Sequence, residues 1–215
     1  MDAIFFDIGG VLLDSASVRR AHERFIADLR DEYDLDAGNP LETWRAELGA
    51  HFREREGTEF RSAQAGYERA IDTLGVGGDW ESVFERALAE TIDPNSGAVE
   101  VVETLAEYDL HLGVISDVDA AEGRRILATF GVLEEFDSIT TSEEVGRTKP
   151  DPAMFETALR KSETVPDRSL MVGDRYRHDI AGAKDAGMVT AAYGAEEGPA
   201  VDHRLGDLRE ALDLV

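Results

Sequence analysis

The chain contains no cysteine, which excludes disulfides, thiolate nucleophiles and cysteine-ligated metals. Lysine is almost missing too: Lys149, Lys161 and Lys184 are the only three, and every other basic side chain apart from histidine is arginine. Positive charge is scarce throughout, 22 Lys and Arg against 46 Asp and Glu, for a formal net charge of −24. With no basic stripe to neutralise phosphates, nucleic acid is not an expected partner. No window holds 18 consecutive apolar residues, so no membrane-spanning helix is expected. No basic segment precedes the first apolar run, and a signal peptide is not expected either. These absences suit a cytoplasmic protein.

The acid excess has its own meaning. Self-repulsion at this charge density opposes the compact state, and molar salt relieves it by shrinking the screening length to about 3 Å. An acidic, lysine-poor surface is the composition of proteins from salt-loving organisms, and a halophilic source is expected in preference to a cationic partner.

At 215 residues the chain is long enough for one domain, or for one domain carrying a substantial insertion. It opens on Ile4-Phe5-Phe6-Asp7-Ile8-Gly9-Gly10-Val11-Leu12. So short an apolar run reads as a buried strand, and the glycine pair ends it in a tight turn. Asp7 then stands at the carboxyl edge of a sheet, where open α/β sheets form their ligand crevice; alone, it is equally well a turn aspartate of a surface hairpin.

From about Val18 to Thr91 four helical patterns follow. Their apolar faces carry Val18, Ala21, Phe25, Leu29 and Tyr33; then Leu41, Trp44, Leu48 and Phe52; then Tyr67, Ile71 and Leu74; then Trp80, Val83, Phe84, Ala87 and Leu88. Asn39-Pro40 signals entry to the second. Breaks fall at Ala37-Gly38-Asn39, weakly at Gly57-Thr58, and at Val76-Gly77-Gly78-Asp79. Four amphipathic helices in so short a span predict a small helical bundle whose aromatic stripes are packing.

After Pro94 the pattern alternates: helix 98–108, strand 111–115, helix 120–130, strand 138–141, helix 152–161, strand 169–172, helix 179–186 ending at Gly187, strand 188–192 and helix 207–212. Repeated βα units predict a parallel sheet with helices on both faces. Asp7's strand belongs to that sheet, so the bundle is an insertion. The expected division is a core of 1–16 and 93–215 and a helical domain of 17–92.

Four polar residues lie where strands end or a helix begins: Asp7, Ser116, Lys149 and Asp174. In Gly173-Asp174-Arg175-Tyr176-Arg177-His178-Asp179 the two carboxylates straddle a turn into a helix and suit Mg²⁺, a hard cation that takes oxygen ligands; Asp179 as a simple helix cap is the alternative. His178 reads best as a solvated residue at a helix start. Arg175 and Arg177 are either exposed charges or partners of an anion. Lys149 sits in a proline-flanked loop, Gly146-Arg147-Thr148-Lys149-Pro150-Asp151-Pro152, whose stiffness suits an ammonium that must meet developing charge. Ser116 can offer hydroxyl and backbone N–H to an anionic oxygen.

In this order the signals resemble the haloacid dehalogenase superfamily, in the subgroup with a helical cap between its first two motifs. Phe5-Phe6-Asp7 with Gly10-Val11-Leu12 and Asp14-Ser15 is similar to the first motif, and Val114-Ile115-Ser116-Asp117 to the second. Lys149-Pro150-Asp151-Pro152 through Phe155 is similar to the third, and Gly173-Asp174 with Asp179 to the fourth. Asp202-His203-Arg204-Leu205 before Asp207-Leu208 resembles the family's last strand and helix. The resemblance implies a Rossmann-like α/β core with an inserted cap, and a hydrolase acting on a small phosphorylated metabolite. Asp7 would attack phosphorus and become an aspartyl-phosphate. Ser116 and Lys149 would hold the phosphoryl oxygens, with Asp117 a further substrate-binding position. Mg²⁺ would be held by Asp7, Asp174 and the Gly9 backbone carbonyl, with Asp179 orienting that shell.

One position departs from the family. Phosphatases of this kind carry a second aspartate, the general acid and base, two residues after the nucleophile, and here that residue is Gly9. Such help is worth about 10²–10⁴-fold. Three readings follow: a phosphatase favouring leaving groups that need little protonation, or borrowing a proton from water, the substrate or a residue such as His22; a metal-independent 2-haloacid dehalogenase; or a non-catalytic binding or regulatory protein.

Overall fold

A computed structural model describes residues 1–33, 35 and 38–215; Ala37, in the first expected break, lies outside the described residues. The chain folds as two compact units. One comprises Met1–Leu13, Thr58–Phe60 and Pro94–Val215, the other Asp14–Gly57 and Arg61–Asp93.

The first unit is built on a six-stranded, all-parallel sheet of β1 (Ala3–Phe6), β2 (His111–Ser116), β3 (Ser138–Thr141), β4 (Ser169–Gly173), β5 (Val189–Tyr193) and β6 (His203–Leu205), in the order β3-β2-β1-β4-β5-β6. It is the doubly wound, Rossmann-like α/β arrangement that alternating elements imply. All four residues of β1 are fully buried. Ala3 and Phe5 pack with Met154, Phe155, Ala158, Met171 and Ala183. Alternation along a strand turns Ile4 and Phe6 to the other face, where they are equally dry, so both faces are covered. Phe6 lies level with Val114 of β2 and Val172 of β4. The chain departs to opposite sides of β1 from there, and such a switch point is where these sheets place a ligand crevice.

Several element ends differ from the periodicity. Helix 98–108 stops at Leu105, giving way to turn hydrogen bonds from Glu107 to Thr104 and from Tyr108 to Leu105. The helix expected over 179–186 begins earlier, as a wide π-helical turn over Tyr176–Ala181 that runs into a short α-helix, Gly182–Asp185. Its cause is local: the Asp179 and Ile180 N–H groups both donate to the Arg175 carbonyl, and the Asp179 carboxylate in turn takes the Arg175 N–H. The last helix is a 3₁₀ segment, Leu208–Leu214, capped by the Asp207 carboxylate on the Arg209 N–H.

The second unit holds four helices, α1 (Ser15–Tyr33), α2 (Pro40–Arg53), α3 (Ala63–Leu74) and α4 (Trp80–Thr91). Asn39, Ser62 and Asp79 cap the starts of α2, α3 and α4 with side-chain oxygens. Their interior is aromatic: Phe25 lies 5.0 Å from both Trp44 and Phe84, Tyr67 stacks on Trp44 at 5.4 Å, and Tyr67 meets Phe84 at 4.6 Å. Pairs of this kind contribute about 0.5–1.5 kcal/mol each beyond their buried area. The expected stripes are only partly interior. Val18, Tyr33, Leu41, Leu48 and Leu74 are half-buried. Phe52 is exposed in the last turn of α2, its ring against His51 and the Arg55 guanidinium. Ile26 joins the interior instead.

Candidate active site

The ladder between β1 and β4 runs one residue past the strand, because the Asp7 N–H donates to the Val172 carbonyl at 3.1 Å. That fixes Asp7 at the carboxyl edge of the central strand, 2 % exposed. The following turn is closed by Leu13 N–H on the Ile8 carbonyl at 2.8 Å and Gly10 N–H on the Leu13 carbonyl at 2.9 Å. Asn95, at the head of the returning chain, donates its side-chain amide to the Gly10 and Val11 carbonyls at 2.9 and 2.8 Å. Asn95 carries no motif signal in the sequence, where it is only the residue after Pro94.

Two glycines are imposed by the carboxylates beside them. Gly10 has φ +77°, and a Cβ there would lie 1.9 Å from Asp174 Oδ2. A Cβ at Gly173 would lie 2.2 Å from the Asp179 Cβ. Gly9 is different: it is exposed, its φ is not positive, and a Cβ on it meets nothing within 4 Å.

Around Asp7 the structure gathers most of the residues singled out from sequence. Asp7 Oδ1 accepts the Ile8 N–H at 2.8 Å and stands 3.1 Å from Lys149 Nζ. Lys149 is fully buried, with its Nζ 2.6 Å from Asp179 Oδ1 and donating to the Ile115 carbonyl at 2.9 Å. Its backbone N–H donates to Asp117 Oδ1 at 2.8 Å. Ser116, the last residue of β2, is buried next to Asp7. Arg175, left open by the sequence, reaches into this cluster: Nη2 donates to Asp117 Oδ2 at 3.0 Å and lies 3.9 Å from both Asp7 Oδ2 and Asp179 Oδ1. Arg177 is exposed and stays outside. His178 is not simply solvated. Its buried Nδ1 has no hydrogen-bond partner and faces Asp117 Oδ2 at 3.8 Å, too far for a hydrogen bond. His22 belongs to the helical unit, with its ring 5.7 Å from Trp44 and 5.9 Å from Phe84.

Thr58–Phe60, starting at the weak Gly57-Thr58 break expected from the sequence, belongs to the sheet unit and braces the lysine loop. Thr148 N–H donates to the Thr58 carbonyl at 2.7 Å, Phe60 N–H to the Gly146 carbonyl at 3.1 Å, and the Thr58 hydroxyl to Asp151 at 2.7 Å. A polar contact 93 residues distant in the chain leaves no periodic trace.

The electrostatics are those of crowded, dry acids. Burial pushes the Asp7 carboxyl up, and Asp179 adds to this, while Lys149 and Arg175 oppose it. Burial, with Asp7 and Asp179 nearby, raises Asp174 to about 6. For Asp117 burial works upward, but facing His178, Lys149 and Arg175 outweigh it and leave the carboxyl at about 2. Burial pushes the Lys149 ammonium down, and the carboxylates of Asp179, Asp7 and Asp117 outweigh this and hold it above its ordinary value.

Asp7, Asp174 and Asp179 each offer a carboxylate oxygen, all within 4.8 Å of one another, and Asp174 Oδ1 is buried without a hydrogen-bond partner. The cluster sets four carboxylates (Asp7, Asp117, Asp174 and Asp179) against two cations (Lys149 and Arg175), an excess of two negative charges when all are ionised. One divalent cation removes that excess, and an all-oxygen donor set suits Mg²⁺. These residues fit the ion.

The haloacid dehalogenase-like hydrolase family matches residues 1–187. The chain belongs to that family. As a haloacid dehalogenase-like hydrolase it is 26 % identical over 205 residues to a glyceraldehyde 3-phosphate phosphatase of Methanothermobacter thermautotrophicus, covering 91 % of this chain and 87 % of the relative. It is 28 % identical over 222 residues to pyrimidine 5′-nucleotidase YjjG of Escherichia coli, covering 100 % and 97 %. Among solved structures, a HAD-hydrolase of Bacillus subtilis, YfnB, bound to magnesium, superimposes with a TM-score of 0.75 at 18 % identity, covering 99 % of this hydrolase and 97 % of that chain. That last likeness is one of fold.

Proposed function

We propose that this hydrolase is a Mg²⁺-dependent phosphatase of a small phosphorylated metabolite, working through an aspartyl-phosphate on Asp7. One observation carries the reading: a buried carboxylate at the sheet's switch point has Lys149 Nζ 3.1 Å away and two further carboxylates close enough to share a cation. The phosphatase and nucleotidase names of its relatives point the same way.

In this mechanism Asp7 attacks phosphorus as the nucleophile. Lys149, held by Asp179 and the Ile115 carbonyl, offsets the repulsion between an anionic substrate and an anionic nucleophile, and does so where water is excluded and charge interactions are strong. Ser116 and Lys149 hold phosphoryl oxygens, and Asp117 steadies the lysine loop through the Lys149 N–H. Asp7, Asp174 and the Gly9 carbonyl would hold Mg²⁺, with Asp179 buttressing Lys149 and the turn that carries Asp174. When bound, the ion supplies positive charge that draws electron density from the phosphoryl group. The helical unit, inserted between β1 and β2, serves as the cap that selects the substrate.

The test is phosphate release from an aryl phosphate, with protein purified in high KCl. Turnover is expected with Mg²⁺ and is lost in EDTA and in Asp7→Asn. Metal-independent halide release from 2-chloropropionate, or silence with both substrates, overturns the reading.

A further inference from the structure

Arg175 is held at three points yet remains available. Its N–H donates to Asp179 Oδ2 at 2.9 Å, its carbonyl accepts the Asp179 N–H at 2.8 Å, and its guanidinium is anchored to Asp117 at 3.0 Å. Asp117 is itself fixed on the Lys149 N–H. The side chain is nonetheless 43 % exposed. A guanidinium has five N–H donors, and Nε and Nη1 have no hydrogen-bond partner among the described residues. The 3.9 Å from Nη2 to Asp7 Oδ2 is too long for a direct hydrogen bond. The guanidinium thus stands close to the nucleophile without donating to it. Lys149 is fully buried beside Asp7, Asp179 and Ile115, at the phosphoryl end of the site in the reading above, so Arg175 is the more exposed cation, with N–H groups still unpaired. Two residues past the nucleophile, Gly9 offers no proton.

From this juxtaposition we propose that Arg175 stabilises the leaving oxygen as an anion, in place of protonating it, and that the natural substrate carries a leaving group stable as an oxyanion: an acyl phosphate, a phosphoanhydride or an aryl phosphate. The assignment rests on the phosphatase reading above. In the first step the P–O bond to Asp7 forms, the P–O bond to the leaving group breaks, and the electron pair stays on the leaving oxygen beside the Arg175 guanidinium; no proton moves. In the second, water attacks phosphorus of the aspartyl-phosphate. Its oxygen and one proton go to the phosphate, the other proton goes to a second phosphate oxygen, and Asp7 departs as carboxylate, so dihydrogen phosphate leaves with charge conserved.

The experiment measures kcat/KM with Mg²⁺ for aryl phosphates of graded leaving-group acidity, from p-nitrophenyl to phenyl phosphate, in the wild-type chain, Arg175→Met and Gly9→Asp. The wild-type rate is expected to fall steeply as the phenol becomes less acidic. Arg175→Met steepens the fall, losing a few-fold on the most acidic phenol and about 10²-fold on phenol itself, the size of one lost oxyanion donor. Gly9→Asp, which the open space accepts, flattens it. The slope compares substrates within one preparation, so a partly misfolded variant cannot mimic it. Equal loss on every substrate in Arg175→Met overturns the Arg175 assignment while leaving the phosphatase reading intact. Absence of Mg²⁺-dependent turnover in the wild-type chain overturns both.

Discussion

The two units of this hydrolase solve opposite packing problems. Among the described residues, every buried Asp, Glu, Lys or Arg (Asp7, Asp119, Lys149 and Asp179) belongs to the sheet unit, and the helical unit buries only Ser17 and His51 among its polar side chains. The helical interior is rings against rings, an inexpensive way to build a stable bundle. The sheet unit instead keeps a lysine dry among carboxylates. A buried ion cluster contributes little net stability over an apolar one, and its breakage is costly. The contrast separates an interior built for packing from an ionic cluster that, in the mechanism proposed above, serves the reaction.

The largest test of that contrast is a pair of substitutions. Lys149→Met strands Asp7 and Asp179 without their cation; it is expected to abolish Mg²⁺-dependent phosphate release and to cost about 3–5 kcal/mol in urea unfolding. Phe84→Ala removes a ring that meets Phe25, Trp44 and Tyr67. It costs a similar 3–5 kcal/mol, yet leaves Mg²⁺ affinity by calorimetry within about twofold, being a packing loss. A Phe84→Ala protein that stays folded but no longer binds Mg²⁺ would break the division.

pH sharpens it next, with opposite signs in the two units. Burial, with Arg45 nearby, lowers His22 to about 4. The unfolded chain then takes up a proton that the folded chain refuses, so stability is lost as pH falls from about 6.5 towards 4. Asp174 is raised to about 6, so without metal the folded chain holds a proton that the unfolded chain releases. That contribution is present at low pH and lost as pH rises through about 6. In EDTA, His22→Leu is expected to weaken the acid-side loss in melting temperature, and Asp174→Asn to remove the loss between about pH 4 and 6. Mg²⁺ at pH 7.5 is expected to restore stability to the wild-type and His22→Leu chains and not to Asp174→Asn.

Salt separates surface from interior. Net charge of −24 predicts a melting temperature that climbs with KCl towards the molar range; a flat response sinks the salt-adaptation reading. The smallest effect is expected from an exposed pair such as Arg69 with Glu47 and Glu54, where Arg69→Ala leaves melting in molar KCl unchanged.

The architecture was legible because β1 and the βα alternation are written in apolar runs, which report burial directly. Asp7, Ser116 and Asp174 were legible because strand ends converge by topology, and Lys149 because it stands in a stiff, proline-flanked loop before a helix. The π-helical turn at Tyr176–Ala181 was not, since it arises from the Asp179 carboxylate folding back on the Arg175 N–H, a side-chain event without periodicity. Asn95 and Thr58 escaped for the same reason: each acts through hydrogen bonds to carbonyls or loops far along the chain. Arg175 was left undecided because exposure along a helix start and reach into a crevice look alike in one dimension.

Gly10 and Gly173 are glycines because Asp174 and Asp179 occupy the space a methyl group would need; neither can change without moving an acid. Nothing presses on Gly9. Its backbone already accommodates an aspartate side chain, with open space where the Cβ would stand. The fold does not hold that glycine in place, and whatever retains it must be sought in the substrates the organism asks this hydrolase to cut or to spare.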